Sequence, residues 1–396
     1  MKNLNSMEQQ LGIYIHIPFC VRKCRYCDFL SAPADHTVRE RYVQRLIREI
    51  EAGPRLLARE KTTASSRSIF IGGGTPSLLD ADQIRRILEA VRAAFSVAEN
   101  AEITMECNPG TGTDFHALKA AGINRLSFGV QSADAKELSL LGRIHTWEDA
   151  IHTVSEARAA GFTNINTDLI FSLPGQTLSS WKKTLERTLR ELSPEHISAY
   201  SLIIEEGTPF YEAYHEEDER RAEGESTSLL PDEETEREMY WETQRLLEEH
   251  GYHRYEISNY ALPGYESVHN TGYWIRRAYL GFGLGAASQI GKYRLKNTED
   301  LQRYLEETAD AGAPLEEEIL LSHADACAEA MFLGLRLRDG VDLDAFAVRY
   351  GVTAEQAWPG LLSKLEAAGL LISENNRVRL SQRGTDLSNY VFAQFL

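Results

Sequence analysis

The chain has 396 residues, of which 43% are hydrophobic and 26% charged, and its formal net charge is −17. This composition is typical of a globular protein with a full core, in one large domain with an appendage or in two to three domains. The acidic balance argues against nucleic acid as a main partner, and the sequence has no apolar run of the roughly 18 residues that a membrane-spanning helix needs.

Short apolar runs alternate with amphipathic segments through the first half of the chain. Strands are predicted near 12–17, 68–72, 102–107, 125–131, 163–171 and 196–204. Helices are predicted near 38–52, 80–95, 113–121, 134–141, 147–160 and 177–191. This alternation predicts a parallel sheet with helices outside it.

The two faces of the predicted strands differ in polarity. In the first strand Ile13, Ile15 and Ile17 share one face, while Tyr14 and His16 share the other. A parallel sheet covered by helices on both faces would be apolar on both. We therefore predict an α/β fold in the form of an incomplete (β/α)6 barrel, whose polar inner face lines a cavity for a sizeable ligand.

A different composition follows after residue 210. We predict an acidic solvated loop over 212–238 that runs into a helix over 232–250, then a strand over 252–259 and a helix over 298–312. Glycine-rich sequence lies between the last two. The segment 211–318 is therefore predicted as a linker region with helices and extra strands.

The C-terminal part, 319–396, is predicted as a separate winged-helix-like domain after a barrel domain over 1–210. Helices are expected near 322–336, 341–350, 353–368 and from 382, with a hairpin over 370–380 that turns at Asn375-Asn376. The presumed recognition helix of such modules here carries Glu355 and Glu366 against Lys364. An interaction or lid role is therefore favoured over DNA binding.

Three of the five cysteines, Cys20, Cys24 and Cys27, follow the first predicted strand within one short loop. This usage indicates a reduced, cytoplasmic metal protein and not a disulfide scaffold, and residues 1–10 lack the apolar core of a secretory signal. Three thiolates suit a soft metal. The loop is either a zinc site completed from elsewhere or a cluster site whose vacant corner takes a non-protein ligand.

Unusual residues also stand at the ends of the other predicted strands. The second strand ends in Gly72-Gly73-Gly74-Thr75-Pro76, the third in Glu106-Cys107-Asn108, the fourth at Gln131 and the fifth near Asp168. Because the carboxyl ends of parallel strands meet on one rim, we expect these residues to surround one site.

The cysteine spacing, Tyr26 before the third cysteine and the Gly-Gly-Gly-Thr-Pro turn resemble the radical S-adenosylmethionine proteins. The resemblance implies a 4Fe–4S cluster on Cys20, Cys24 and Cys27, whose fourth iron binds S-adenosylmethionine. It also implies that the turn residues meet the methionine moiety and that two further side chains contact this ligand. These residues are Gly73, Gly74 and Thr75 in the turn, with Tyr14 and Glu106 beside it. Cys107 and Cys327 are predicted to be small buried thiols.

Over residues 12–396 the pattern is similar to the oxygen-independent coproporphyrinogen dehydrogenase group. In that group Gln131, Arg143 and Asp168 match positions that contact a second S-adenosylmethionine. Two departures put the dehydrogenase reaction in doubt: Phe29 stands where that enzyme has a fourth cysteine, and only eleven residues precede the first strand instead of a long extension.

The same departures are found in the HemW-type heme chaperones, and His269-Asn-Thr-Gly-Tyr273-Trp274 matches a motif associated with heme binding in that group. A histidine is a good axial ligand of heme iron, and Tyr273 and Trp274 suit a flat macrocycle. The alternative is a histidine satisfied in a turn with two core aromatics. His16 is left open between a hydrogen-bonding residue of the barrel interior and a ligand.

Two functions follow from the resemblance. The first is a heme-binding chaperone that passes heme to an acceptor apoprotein, with no catalytic residue, and with peripheral membrane contact still open. The second is a radical enzyme that acts on a tetrapyrrole, as coproporphyrinogen dehydrogenase does. Phe29 favours the first.

Overall fold

The computed structural model describes residues 10–59, 64–306 and 312–396. Most of segment 1–10, in which no secretory signal is predicted, therefore lies outside the described residues. The first six strands are the predicted ones with shifted ends: β1 Gln10–Ile17, β2 Ser65–Gly73, β3 Ser96–Cys107, β4 Arg125–Gln131, β5 Ile165–Phe171 and β6 His196–Ser201. The helices between them are α1 His36–Ala52, α2 Pro54–Arg59, α3 Ala81–Ala94, α4 Phe115–Ala121, α5 Ala135–Leu141, α6 Trp147–Ala159 and α7 Leu178–Arg187.

These six strands are parallel and lie side by side in the order of the chain. On β1, Ile13, Ile15 and Ile17 are fully buried and share one core with Tyr42 and Val43 of α1. The predicted α/β barrel with helices outside is confirmed. Among the described residues its sheet stays open, with β-strands of the second half continuing it at both edges.

The second half supplies these edge strands and four helices. In chain order they are α8 Pro209–Ala222, α9 Glu233–Glu249, β7 His253–Arg254, β8 Asn259–Ala261, α10 Val268–Trp274, β9 Ala278–Phe282, β10 Ala287–Ile290, β11 Tyr293–Asn297, α11 Leu301–Leu305 and β12 Leu315–Leu320. Strand β9 runs parallel to β1, and β8 runs antiparallel to β6. The core of the barrel includes side chains from this half, so the sheet is one packed unit from β1 to β12.

The prediction of a loop over 212–238 is wrong for its first half, because the residues up to Ala222 belong to helix α8. Thr208 caps this helix by accepting a hydrogen bond from the backbone N–H of Tyr211, and Pro209 occupies its first turn. Buried Phe210 holds the helix to the protein. The cap, the proline and the buried phenylalanine stabilise the helix more than the mutual repulsion of the acidic side chains that follow destabilises it.

Two further predictions for this region need correction. The strand predicted over 252–259 is split into β7 and β8, with a turn between them. The helix predicted over 298–312 is the short α11, and residues 307–311 lie outside the described part of the chain. Strand β9 was hidden by its glycines: a Cβ on Gly281 would clash with the carbonyl oxygen of Ala287, so the close approach of β10 requires glycine there.

The C-terminal part has the predicted helices and hairpin around a core of its own. Its elements are α12 His323–Gly334, β13 Val341–Asp342, α13 Leu343–Tyr350, α14 Ala354–Ala357, α15 Leu361–Ala367, β14 Leu371–Glu374, β15 Arg377–Leu380, α16 Gln382–Asp386 and α17 Ser388–Ala393. Both Asn375 and Asn376 have positive φ, as a tight hairpin turn requires. Residues 341–342 pair with β15 in place of starting the predicted helix.

Helix α10 covers part of the inner face of the barrel that the sequence predicts to be an open cavity. His269 of α10 contacts Ser68 and stacks on Phe70, both in the middle of β2. The C-terminal part packs on the far end of this helix, where Arg336 lies 4.4 Å over the Trp274 ring. A helix therefore covers the inner face at β2 and β3, on the side away from the cysteine loop.

Candidate cofactor site

The cysteine loop lies between β1 and α1, with all three of its thiols partly accessible. The Thr75 hydroxyl lies 3.5 Å from the Cys20 sulfur, and the Arg143 guanidinium lies 3.5 Å from the Cys24 sulfur. Burial raises the pKa of Cys27, and the nearby Cys24 and Cys20 raise it further. The loop thus holds three thiols close enough to repel one another as thiolates, and a positive metal centre would relieve this repulsion.

The glycine turn after β2 forms the wall beside this loop. The Gly73 N–H donates to the Glu106 carboxylate at 3.0 Å, and the Gly74 N–H donates to the Ile17 carbonyl at 2.9 Å. A Cβ on Gly74 would lie 2.6 Å from the Phe19 carbonyl oxygen and 3.0 Å from the Cys20 sulfur. Glycine is required here because the backbone of the cysteine loop passes directly over it.

Gly74→Ala is therefore expected to displace the cysteine loop while leaving the barrel core intact. Iron and sulfide bound after anaerobic reconstitution should fall to less than about half of the wild-type content, since an overpacked contact of this kind costs roughly 1–3 kcal/mol. Metal analysis and far-ultraviolet circular dichroism on the same sample measure both effects. Full iron content in a folded variant would contradict this account of the turn.

A polar network joins two predicted site residues on the rim, Thr75 and Arg143, and a third, Gln131, lies beside it. Asn108 donates to the Thr75 hydroxyl at 2.9 Å and accepts from Arg143 at 2.6 Å. Arg143 also donates to the Gly129 carbonyl, next to Gln131, which has a positive φ of 69°. The structure thus brings together Thr75 and Gln131, as the strand-end rule predicts, with Arg143, which the family resemblance indicated. Asn108, which directly follows β3 and is one of the strand-end residues expected on this rim, connects Thr75 with Arg143.

Two half-buried carboxyl groups, Glu106 and Asp168, face the same space from β3 and β5. Burial, followed by the charge of Asp168, raises the pKa of Glu106 to about 8, and the Gly73 N–H opposes this rise. Burial also raises the pKa of Asp168, although the hydroxyl of Ser127 and the amide of Asn166 donate to it at 3.1 and 2.8 Å. The site is built to receive hydrogen-bond donors or a positive charge between these groups.

The Glu106 carboxyl predicts a pH dependence of stability in the ligand-free protein. Its pKa is higher in the folded chain than in the unfolded chain, so the folded state holds the extra proton between about pH 4.5 and 8. Its contribution to stability is therefore lost as the pH rises through this window, by at most about 1.4 kcal/mol per pH unit. Urea unfolding of wild type and Glu106→Gln from pH 5.5 to 8.5 checks this. A variant that loses stability as steeply as wild type would contradict it.

Tyr14 and His16 connect β1 to the end of the cysteine loop. His16 Nε2 lies 3.0 Å from the Leu30 carbonyl and Nδ1 lies 2.8 Å from the Tyr14 hydroxyl. A carbonyl only accepts, so Nε2 carries the proton and the Tyr14 hydroxyl donates to Nδ1. Both ring nitrogens are used, which favours the hydrogen-bonding alternative for His16.

His269 lies at the opposite end of the strands from the cysteine loop. Its ring is 3% exposed, with Nδ1 3.0 Å from the Ser68 hydroxyl and Nε2 2.9 Å from the Tyr273 hydroxyl. Burial, then Arg277 and Arg125, lower its pKa to about 3, so the ring is neutral at physiological pH. The row of rings Tyr14, Phe70 and His269, with centroids 6.3 and 5.1 Å apart, links the two ends of the barrel interior.

Glu102 holds the start of α10 in this position and was missed by sequence reasoning. Its carboxylate accepts the backbone N–H groups of Val268 and His269, each at 3.0 Å, and lies 3.9 Å from buried Arg125. On β3, Glu102, Thr104 and Glu106 alternate with the apolar Ile103 and Met105, which indicates the face of the strand on which Glu102 lies. The helix that Glu102 binds lies more than 160 residues later in the chain, and no sequence pattern connects the two.

Comparisons with known proteins place this geometry in a family. The profile of the radical SAM superfamily matches residues 14–188, and that of the HemN C-terminal domain matches residues 321–387. The heme chaperone HemW of Bacillus subtilis is 36% identical over 386 residues, covering 97% of this chain and 98% of the relative. The chain belongs to the HemW family of the radical SAM superfamily.

Other relatives agree with this membership. The heme chaperone HemW of Lactococcus lactis is 36% identical and covers 98% of both chains. A mitochondrial radical S-adenosyl methionine domain-containing protein 1 from Danio rerio is 32% identical, covering 98% of this chain and 87% of the relative. HemW-type sequences thus match the barrel, the region around α10 and the C-terminal part together.

A solved structure shows the same fold. Coproporphyrinogen III oxidase (HemN) from Escherichia coli superposes with a TM-score of 0.81 at 24% identity, over 99% of this chain and 92% of that protein. Among the described residues, the helices are all too short or too polar to cross a bilayer. Phe29, where the resemblance predicts a cysteine in the dehydrogenase, is 63% exposed on the cysteine loop.

Proposed function

We propose that this protein binds heme and transfers it to an acceptor protein, on a scaffold that holds a 4Fe–4S cluster and S-adenosylmethionine. The observation that carries the proposal is the similarity, along nearly the whole chain, to two proteins named heme chaperones. The site geometry supports the cofactors, and α10 offers a histidine for heme. A cytoplasmic location fits the reduced cysteines.

The residues around the cysteine loop fit a cluster. Cys20, Cys24 and Cys27 supply three thiolates, and Arg143 lies against the sulfur of Cys24 as a compensating charge. In the described part of the chain no three His, Cys, Asp or Glu side chains gather at the distances of a single metal ion. A four-iron cluster does not require this, because each thiolate binds a different iron.

S-adenosylmethionine would occupy the space beside the glycine turn and the two half-buried carboxyl groups. Gly73 and Gly74 let the turn pack closely against His16 and the cysteine loop, and Tyr14 and Thr75 lie beside this turn as candidate contacts of the ligand. Glu106 and Asp168 face this space as acceptors for an ammonium group or ribose hydroxyls. Gln131 and Arg143 extend the polar lining along the rim and would contact a second molecule of the ligand. When bound, the cluster and this ligand together supply one-electron chemistry.

Heme would be ligated by His269, whose ring is neutral and therefore in the ligating form. Both of its nitrogens are engaged in the structure, so ligation requires the Tyr273 hydroxyl to leave Nε2. The Val268–Trp274 helix must then move outward from β2. Heme binding is thus coupled to an opening of α10 in this proposal.

The test is a heme titration followed by transfer. Purified protein, with and without the reconstituted cluster, is titrated with heme and then mixed with an apo form of a b-type cytochrome, and the Soret spectrum of the acceptor is followed. Stoichiometric binding and transfer are expected.

A separate assay tests the alternative function, a radical enzyme that acts on a tetrapyrrole. The reconstituted protein is given coproporphyrinogen III, S-adenosylmethionine and a reductant under anaerobic conditions. Formation of protoporphyrinogen IX would overturn the chaperone proposal.

A further inference from the structure

A cationic groove of about 780 Å³ lies on the outer side of the cysteine loop, next to α5 and α6. Among the described residues, six basic side chains line it, against the two carboxylates of Asp134 and Glu148. The basic residues are Arg22, Lys23, Arg25, Arg143, Lys183 and Arg187. A positive groove of this size stands out on a protein with a net charge of −17.

Among the described residues, five of these six cations have no carboxylate partner: Arg22 and Arg143 donate to backbone carbonyls, and Arg187 alone pairs with an acidic residue, Glu191. Within the described parts of the chain, the exposed side chains of Lys23, Arg25 and Lys183 form no ion pair, whereas exposed arginines elsewhere, such as Arg85 and Arg245, each pair with two acidic residues. Unpaired like charges repel one another and are satisfied by an external anion. The groove is therefore complementary to an acidic surface.

The groove and the cysteine loop form one continuous structure. The Arg25 N–H donates to the Leu141 carbonyl at 3.0 Å, and the Arg22 guanidinium donates to the Gly142 carbonyl at 2.8 Å. Arg143, in the floor of the groove, lies 3.5 Å from the Cys24 sulfur. Anything docked in the groove is separated from this thiol by one side chain.

The rim of the groove suits a protein more than a small anion. Ile144, which lines the groove, is 62% exposed, and Val21 on the adjacent loop is 59% exposed. Apolar side chains beside unpaired cations are typical of surfaces that bind an acidic protein with a partly apolar face. The groove is also open, so that a small anion would be largely hydrated in it.

We propose that this groove is the docking surface of an acidic one-electron carrier protein, which reduces the cluster at its Cys24 side. The proposal rests on the cluster of the proposed function. In the step, the carrier is oxidised by one electron and the cluster is reduced by one, with no bond formed or broken. Opposite charges on the two surfaces raise the rate of encounter.

The experiment compares two charge-reversal variants. Lys23→Glu/Lys183→Glu changes the groove, and Lys292→Glu/Lys364→Glu makes the same change of net charge at exposed sites outside it. Reduced flavodoxin is mixed anaerobically with each reconstituted protein in a stopped-flow instrument, and the loss of cluster absorption is followed at low and high salt. Dithionite serves as a small reductant for comparison.

The groove variant should react with flavodoxin at least about tenfold more slowly at low salt, and this difference should shrink at high salt. Its rate with dithionite and the flavodoxin rate of the control variant should stay within about twofold of wild type. An unchanged flavodoxin rate in the groove variant, or equal slowing in both variants, would overturn the proposal.

Binding of oxidised flavodoxin to the cluster-free proteins, followed by flavin fluorescence anisotropy, is measured in parallel. It should weaken at least about tenfold in the groove variant alone. If the wild-type protein takes up no cluster but still binds flavodoxin through the groove, the proposed cofactor is wrong and the proposed docking surface stands.

Discussion

Cys24→Ala should abolish the 4Fe–4S absorption of the reconstituted protein and reduce its bound iron to near background. The sulfur of Cys24 is in contact with Arg143, in the middle of a loop that supplies all three thiols. With two thiolates left, no complete set of protein ligands remains for the cluster. The measurement is iron and sulfide content together with the visible spectrum after anaerobic reconstitution.

The matched control is Cys327→Ala. Cys327 is also a free cysteine, but it is buried in the core of the C-terminal part and takes no part in the loop. It should keep full iron content, with a loss of stability on the order of 1 kcal/mol from the small cavity. Equal cluster loss in both variants would show that the spectrum reports folding. Heme binding should persist in Cys24→Ala, because His269 lies at the other end of the strands.

The cysteine loop and its rim could be predicted because their signals are local. Three cysteines within eight residues, a run of three glycines and polar residues at strand ends are each visible in one stretch of sequence. Parallel strands then bring these stretches together without further information, since their carboxyl ends share an edge. The contacts of Thr75 with Cys20 and of Gly73 with Glu106 follow from this rule.

Other features could not be predicted because they depend on contacts between distant segments. Nothing in the motif around His269 indicates that it packs inside the barrel, where Glu102 binds the start of its helix. Strand β9 could not be predicted because the close approach of strand β10 requires a glycine at position 281. This glycine interrupts the alternation of apolar and polar residues that indicates a strand. The cationic groove likewise combines Lys23 and Lys183, which are far apart in the chain.

His269→Ala should weaken heme binding at least about tenfold, equivalent to about 1.4 kcal/mol, and change the Soret spectrum. The removed imidazole is the proposed axial ligand. His152→Ala serves as the control, because His152 is exposed and, in the described part of the chain, its ion-pair partner is Glu156 on the surface. Both are measured by heme titration of folded protein, checked by circular dichroism.

A second variant separates ligation from packing. Tyr273→Phe removes the hydroxyl that lies 2.9 Å from His269 Nε2 but keeps the aromatic ring that contacts the histidine. If His269 ligates heme, this change frees the ligating nitrogen, and heme affinity should stay equal or rise. If the histidine serves only to hold α10 in the barrel, His269→Ala leaves the heme spectrum and affinity unchanged. In that case Tyr273→Phe lowers only the stability of the fold, by about 0.5–1.5 kcal/mol for the lost hydrogen bond.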